Sequence, residues 1–199
     1  MSIICSEAVE EKVLSSARLT REEGLWLWQR GDLLELAELA NRVRHRHNPE
    51  PRVTFVIDSN PNYTNVCITD CVFCAFYRKP GARDGYTLTV EQVMEKIQKA
   101  VDLGATTVLL QGGHNPKLPL DYYLTLVRET RRRFPQVTPH FFTASEVTTM
   151  AQVSGLTIRQ VLEQLKAAGQ FTLPGGGAEI LSDRIRRRLA TKKGPAEAW

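Results

Sequence analysis

Cys67, Cys71 and Cys74 stand in a C-x3-C-x2-C spacing inside the stretch N-Y-T-N-V-C-I-T-D-C-V-F-C-A-F, residues 62 to 76. Three thiolates this close in sequence can converge on one inorganic centre. A [4Fe–4S] cube held by three cysteines keeps one iron without a protein ligand, and an external molecule can bind and react there. A structural zinc takes four ligands, so the same triad would need a further donor from elsewhere. Spacing alone leaves both centres open, along with the plain alternative of core thiols. Other stretches also carry residues with chemistry. Q-G-G-H-N-P, residues 111 to 116, joins two glycines to His114 and Asn115. T-A-S-E, residues 143 to 146, holds Ser145 and ends on Glu146, and P-G-G-G-A-E, residues 174 to 179, ends on Glu179.

Composition narrows the setting. At 199 residues the chain is long enough for a real core, and 42% hydrophobic with 24% charged residues is the balance of a soluble globular protein. The net charge of +4 is spread out apart from Arg131–Arg133 and the run from Arg184 to Lys193. Such runs on helices are solvated faces, so the sequence argues against nucleic-acid binding, while an anionic small molecule suits the charge. Three of four cysteines sit in one cluster, which is no disulfide framework and points to a reducing compartment. Cys5 stands apart from them. No apolar run of about 18 residues predicts a membrane span, and the first residues lack the basic and apolar parts of a secretory leader. The expected location is the cytoplasm.

The positioning elements follow from periodicity and caps. Residues 7 to 48 read as helices, with Thr20-x-x-Glu23 a capping box and Asp32 a cap. The second of these predicts a packing stripe of Leu33, Leu36, Ala37, Leu39, Ala40 and Val43; His45 and His47 fall in a polar, exposed tail. V-T-F-V-I, residues 53 to 57, fits a buried strand that runs straight into the cysteine loop. Thr89 caps a helix that Gly104 stops, Thr106 to Leu110 is a strand, and Leu120 to Phe134 is a helix. Val137 to Phe142 is a strand followed by T-A-S-E as a loop, and Thr157 caps a helix with Leu156 and Val161 as its staple. Phe171 to Leu173 makes a short fourth strand before a last basic helix. Repeated β-α order means an α/β fold with a parallel sheet and helices outside it. Every strand is followed by a loop with unusual residues, the arrangement in which barrels of this class place their chemistry at one rim. About four β-α units are visible, so the expectation is a helical extension over residues 1 to 50 and half a (β/α) barrel over 51 to 199.

The stretches N-Y-T-N-V-C-I-T-D-C-V-F-C-A-F-Y-R, L-L-Q-G-G-H-N-P and P-G-G-G-A-E-I-L-S-D resemble the radical S-adenosylmethionine enzymes of menaquinone biosynthesis by the futalosine pathway, from about Leu19 to Trp199. The resemblance implies that Cys67, Cys71 and Cys74 ligate a [4Fe–4S] cluster whose fourth iron chelates S-adenosylmethionine. It implies cofactor contacts by Phe73 near the adenine, by the backbone at Gly112 and Gly113, and by Glu146 and Glu179. Substrate contacts fall to His114, Asn115 and Ser145, and acid–base or catalytic roles to His114 and Glu146. The implied reaction is one-electron cleavage of the cofactor to a 5′-deoxyadenosyl radical, hydrogen abstraction from the ribose of dehypoxanthine futalosine, and ring closure. Flavodoxin or ferredoxin would supply the electron. A related aminofutalosine or deazaflavin-precursor synthase is the alternative, and so is a non-catalytic fragment that binds a cluster or zinc. Two departures from the family stand out. Its members are about twice as long, which implies a homodimer or a complementing C-terminal half. They also carry an acid where this chain has Phe171.

Overall fold

A computed structural model describes residues 6–190 and 195–198. Cys5 and the Lys192–Lys193 end of the basic run lie outside the described residues. The chain divides into two compact units, Met1–Phe55 and Val56–Trp199.

The first unit is helical: α1 (Ser6–Leu14), α2 (Arg21–Arg30) and α3 (Leu33–His47). The expected capping box opens α2, with the Glu23 amide donating to Thr20 Oγ1 (3.2 Å) and the Thr20 amide to Glu23 Oε2 (2.7 Å). Glu23 also pairs with Lys12 across 2.6 Å, which ties α2 to the end of α1. Asp32 Oδ1 caps α3 by accepting the amides of Leu34 and Glu35. The stripe on α3 is a weaker packing face than its spacing predicts. Leu36, Leu39 and Val43 are half-buried, Leu33 is 78% exposed, and no residue of α3 is fully buried.

The second unit is the partial (β/α) barrel that the β-α order predicts. Three parallel strands, β1 (Asp58–Ser59), β2 (Thr107–Leu110) and β3 (Thr138–Phe141), pair in sequence order. Thr172 adds a parallel bridge to His140, so the fourth strand is present as a single pairing. Helices α4 (Val90–Asp102), α5 (Leu120–Arg133), α6 (Ala144–Ser154), α7 (Ile158–Ala168) and α8 (Asp183–Leu189) follow. Because strand side chains alternate, β2 buries Val108 and Leu110 and β3 buries Phe141 on one face, against Val93, Met94 and Ile97 of α4 and Leu126 and Val127 of α5. The residues between them, Thr107, Leu109 and His140, are half-buried. That is the face a closed barrel fills from within.

Two expectations change. Val53–Ile57 is not a buried strand: Val53 is 82% and Phe55 85% exposed, and pairing begins only at Asp58. β1 is the edge of the sheet with a hydrogen-bonded neighbour on one side, so its apolar run has nothing opposite to bury it. And T-A-S-E is not a loop but the capped first turn of α6. No helix among the described residues is long and apolar enough to cross a membrane.

Candidate functional site

The cysteines hang on a loop tied at its neck. The Cys67 amide donates to Arg78 O (2.8 Å) and the Arg78 amide to Asn65 O (2.7 Å), so residues 67 to 78 leave and rejoin at one point. Inside the loop the Cys74 amide reaches Cys71 O (3.1 Å), and the Val72 amide is held by Leu189 O at the end of α8 (2.8 Å). Cys67 and Cys71 are buried and Cys74 is half-buried. All three border one cavity of about 320 Å³ at the C-terminal ends of the strands. Cys67 Sγ accepts backbone N–H groups from His114 (3.3 Å) and Thr69 (3.4 Å).

The glycine pair ends β2 beside this loop. Its close approach is to the protein itself. A Cβ on Gly112 would lie 2.5 Å from Tyr63 Cζ, and one on Gly113 would lie 2.2 Å from Val66 O. Only glycine lets the β2 loop nest on the cysteine strand, where the Gly113 amide then donates to Thr64 O (2.9 Å).

Glu146 knots three segments together. It is 3% exposed, and four donors surround it. Oε1 accepts the Tyr63 hydroxyl (2.6 Å) and the Gly112 amide (2.9 Å); Oε2 accepts the amide and hydroxyl of Thr143 (both 2.8 Å). Thr143 is the N-cap of α6 and Glu146 its third residue, so one carboxylate completes a capping box and anchors both other loops. Burial pushes its pKa above the ordinary value, and the four donors oppose the rise. Burial also keeps the Tyr63 phenol well above its usual range, so it remains a donor. The chain enters this turn through Phe142, fully buried with φ 56°, a left-handed conformation that is strained for an aromatic residue.

The remaining sequence-derived residues divide. Phe73 is 52% exposed and borders the cavity, as do Gly112, Gly113, His114, Ser145, Glu146 and Glu179. Glu179 is exposed and holds a φ of 56°, a left-handed conformation at the end of the glycine-rich loop. Asn115 departs from expectation. It is 5% exposed, does not border the cavity, and spends its side chain on Thr87 Oγ1 (3.1 Å) and the Lys117 amide (3.0 Å). These bonds tie the loop to Thr87 and to its own next turn. Sequence reasoning missed Tyr63 and Thr143. The T-x-x-E pattern with Val147, Met150 and Ala151 behind it is a helix-start signal that marks Thr143, whereas nothing local marks Tyr63, whose partner lies 83 residues away.

The cavity fits a multi-iron centre on its own chemistry. Its donors are three soft thiols, and two amides already point at one of them. Among the described residues no three His, Cys, Asp or Glu side chains close on the position of one metal ion.

Residues 61–199 match the family described as the Radical SAM superfamily. The chain is 42% identical over 193 residues to cyclic dehypoxanthine futalosine synthase of Halalkalibacterium halodurans, covering 97% of this chain and 52% of that protein. It is 40% identical over 191 residues to aminodeoxyfutalosine synthase of Thermus thermophilus, covering 96% and 51%. The chain thus spans about half the length of the curated relatives it matches. Among solved structures, the FeFe-hydrogenase maturase HydG from Carboxydothermus hydrogenoformans superposes with a TM-score of 0.61 at 17% identity, over 96% of this chain and 42% of that one. At that identity the likeness is one of fold.

Proposed function

From the premise that the chain belongs to the radical SAM superfamily, we propose that Cys67, Cys71 and Cys74 hold a [4Fe–4S] cluster and that the cavity they border receives S-adenosylmethionine. When bound, the pair supplies one-electron cleavage of a carbon–sulfur bond and a 5′-deoxyadenosyl radical. The chain's own residues bind, orient and shield. Phe73 offers an aromatic face to the adenine, the Gly112–Gly113 backbone lines the wall beside the cysteine loop, and Glu179 offers a carboxylate to ribose hydroxyls. Glu146 holds these walls in register through its four hydrogen bonds. The observation that carries this reading is that the three cysteines and the loops after β2 and β3 meet at one cavity.

For the substrate we take a futalosine-type nucleoside, cyclised through its ribose. Support comes from the two relatives above, both named for futalosine derivatives. Aminofutalosine synthesis is the alternative within that class. Flavodoxin or ferredoxin is the electron donor we expect, in the cytoplasm. A second reading is a half-site that needs a complementing chain or a second copy. It is favoured by exposed apolar residues at both borders of the sheet, Val56 and Ile57 beside β1 and Phe171 and Leu173 around the Thr172 bridge.

Anaerobic reconstitution with iron and sulfide tests both. Cluster uptake with release of 5′-deoxyadenosine, lost in Cys67→Ala, supports the enzyme. Uptake without cofactor cleavage supports the half-site. Stoichiometric zinc with no iron centre would defeat the proposal.

A further inference from the structure

We infer that His114 is a positioning residue for the cysteine loop, rather than the acid–base group that its place in Q-G-G-H-N-P suggests. The inference rests on the reading that this loop carries the cluster. Position 114 grips three consecutive residues of the loop, twice through its backbone and once through the ring. Its amide donates to Cys67 Sγ (3.3 Å), its carbonyl accepts the Ile68 amide (3.1 Å), and Nδ1 meets Thr69 Oγ1 (2.6 Å). On the other side, Nε2 meets Ser145 Oγ (3.0 Å), and Ser145 Oγ in turn meets Thr143 Oγ1 (3.0 Å). The ring therefore spans from the cysteine loop to the first turn of α6. One N–H and one lone pair of a neutral imidazole satisfy both hydroxyl partners, because each hydroxyl can donate or accept. With a hydroxyl at each nitrogen, the ring's orientation is fixed from both sides, by the cysteine loop and by the first turn of α6. Outer partners of this kind orient metal ligands and set how firmly the metal is held.

The test compares the reconstituted chain with His114→Ala, Thr69→Val and Ser145→Ala. It measures iron retained against a chelator, the reduction potential by EPR-monitored titration, and the pH profile of 5′-deoxyadenosine release. His114→Ala should hold iron about 10- to 100-fold less firmly and shift the potential. Thr69→Val should reproduce part of both effects and add little to His114→Ala. Residual activity should keep the wild-type pH profile. Wild-type retention and potential in His114→Ala, with turnover lost and one limb of the pH profile gone, would overturn the inference. Should His114→Ala not fold, Thr69→Val decides alone, since it breaks one link and leaves the imidazole. Hydrogen exchange in the iron-free chain separates the two ideas. A wild-type chain that takes up no cluster defeats the function reading, whereas unchanged protection at residues 67 to 69 in both variants defeats the clamp.

Discussion

Tyr63→Phe isolates the knot beneath the cavity. The substitution keeps the ring, and with it the edge-to-face packing on Tyr123 and Phe142, whose centroids each lie 5.8 Å away. It deletes one donor from a carboxylate that is 3% exposed. A hydrogen bond to a charged group contributes about 1.5–3 kcal/mol. Three donors remain on Glu146, which places the loss in the lower half of that range, about 2 kcal/mol. For a chain of this size that is a fall of about 4–8 °C in Tm. The pH dependence has a definite sign. Burial raises the folded-state pKa of Glu146 above its unfolded value, so the wild-type chain loses stability from this group as pH rises through the folded pKa. Removing a donor that favours the charged form raises that pKa further. The gap between variant and wild type should therefore widen as pH climbs above the ordinary carboxylate range and narrow below it. Urea denaturation at pH 4 and pH 7, with an unchanged slope, measures both effects. A loss under about 0.5 kcal/mol at pH 7, or a gap indifferent to pH, would refute the account.

Other expectations are simpler. Gly113→Ala places a Cβ 2.2 Å from Val66 O and should cost about 3 kcal/mol in thermal or urea unfolding, because backbone on both sides resists the shift. Thr143→Ala removes the N-cap of α6 and two of its links to Glu146, and should cost about 2 kcal/mol by the same assay. The Glu129 carboxyl, held by Arg132 and Arg133, should titrate at about 2 by NMR, and its contribution should fade as pH falls through that value. Phe171→Asp places an acid at the end of the sheet where this chain has an aromatic residue. Since Phe171 is 74% exposed, its stability effect should stay within about 0.5 kcal/mol of wild type, and a larger drop in Tm would show that the side chain packs.

How much of this was legible in the sequence depends on distance along the chain. The caps at Thr20, Asp32, Thr89 and Thr157 are local patterns, and each opens a helix at the residue expected. The cysteine spacing and the glycine pair are equally local. The same capping signature at Thr143-x-x-Glu146 opens α6, and both oxygens of Glu146 accept protein donors that lie far away in sequence as well as near. The hydrogen bond from Asn115 to Thr87 was equally illegible, because its partner lies 28 residues away. Val53–Ile57 failed in the opposite direction, because apolar content predicts burial only where a neighbour exists to supply it.

The Glu146 knot carries a consequence for recombination between relatives. Residue 63 comes from the first rim segment, residue 112 from the second and residues 143 and 146 from the third, yet they share one carboxylate. Grafting one of these segments from a homologue that differs at its contributing position would strand the donors or acceptors of the other two inside the protein. Chimeras that aim to change substrate should therefore transplant all three as a single cassette, or keep positions 63, 112, 143 and 146 fixed and vary only what surrounds them.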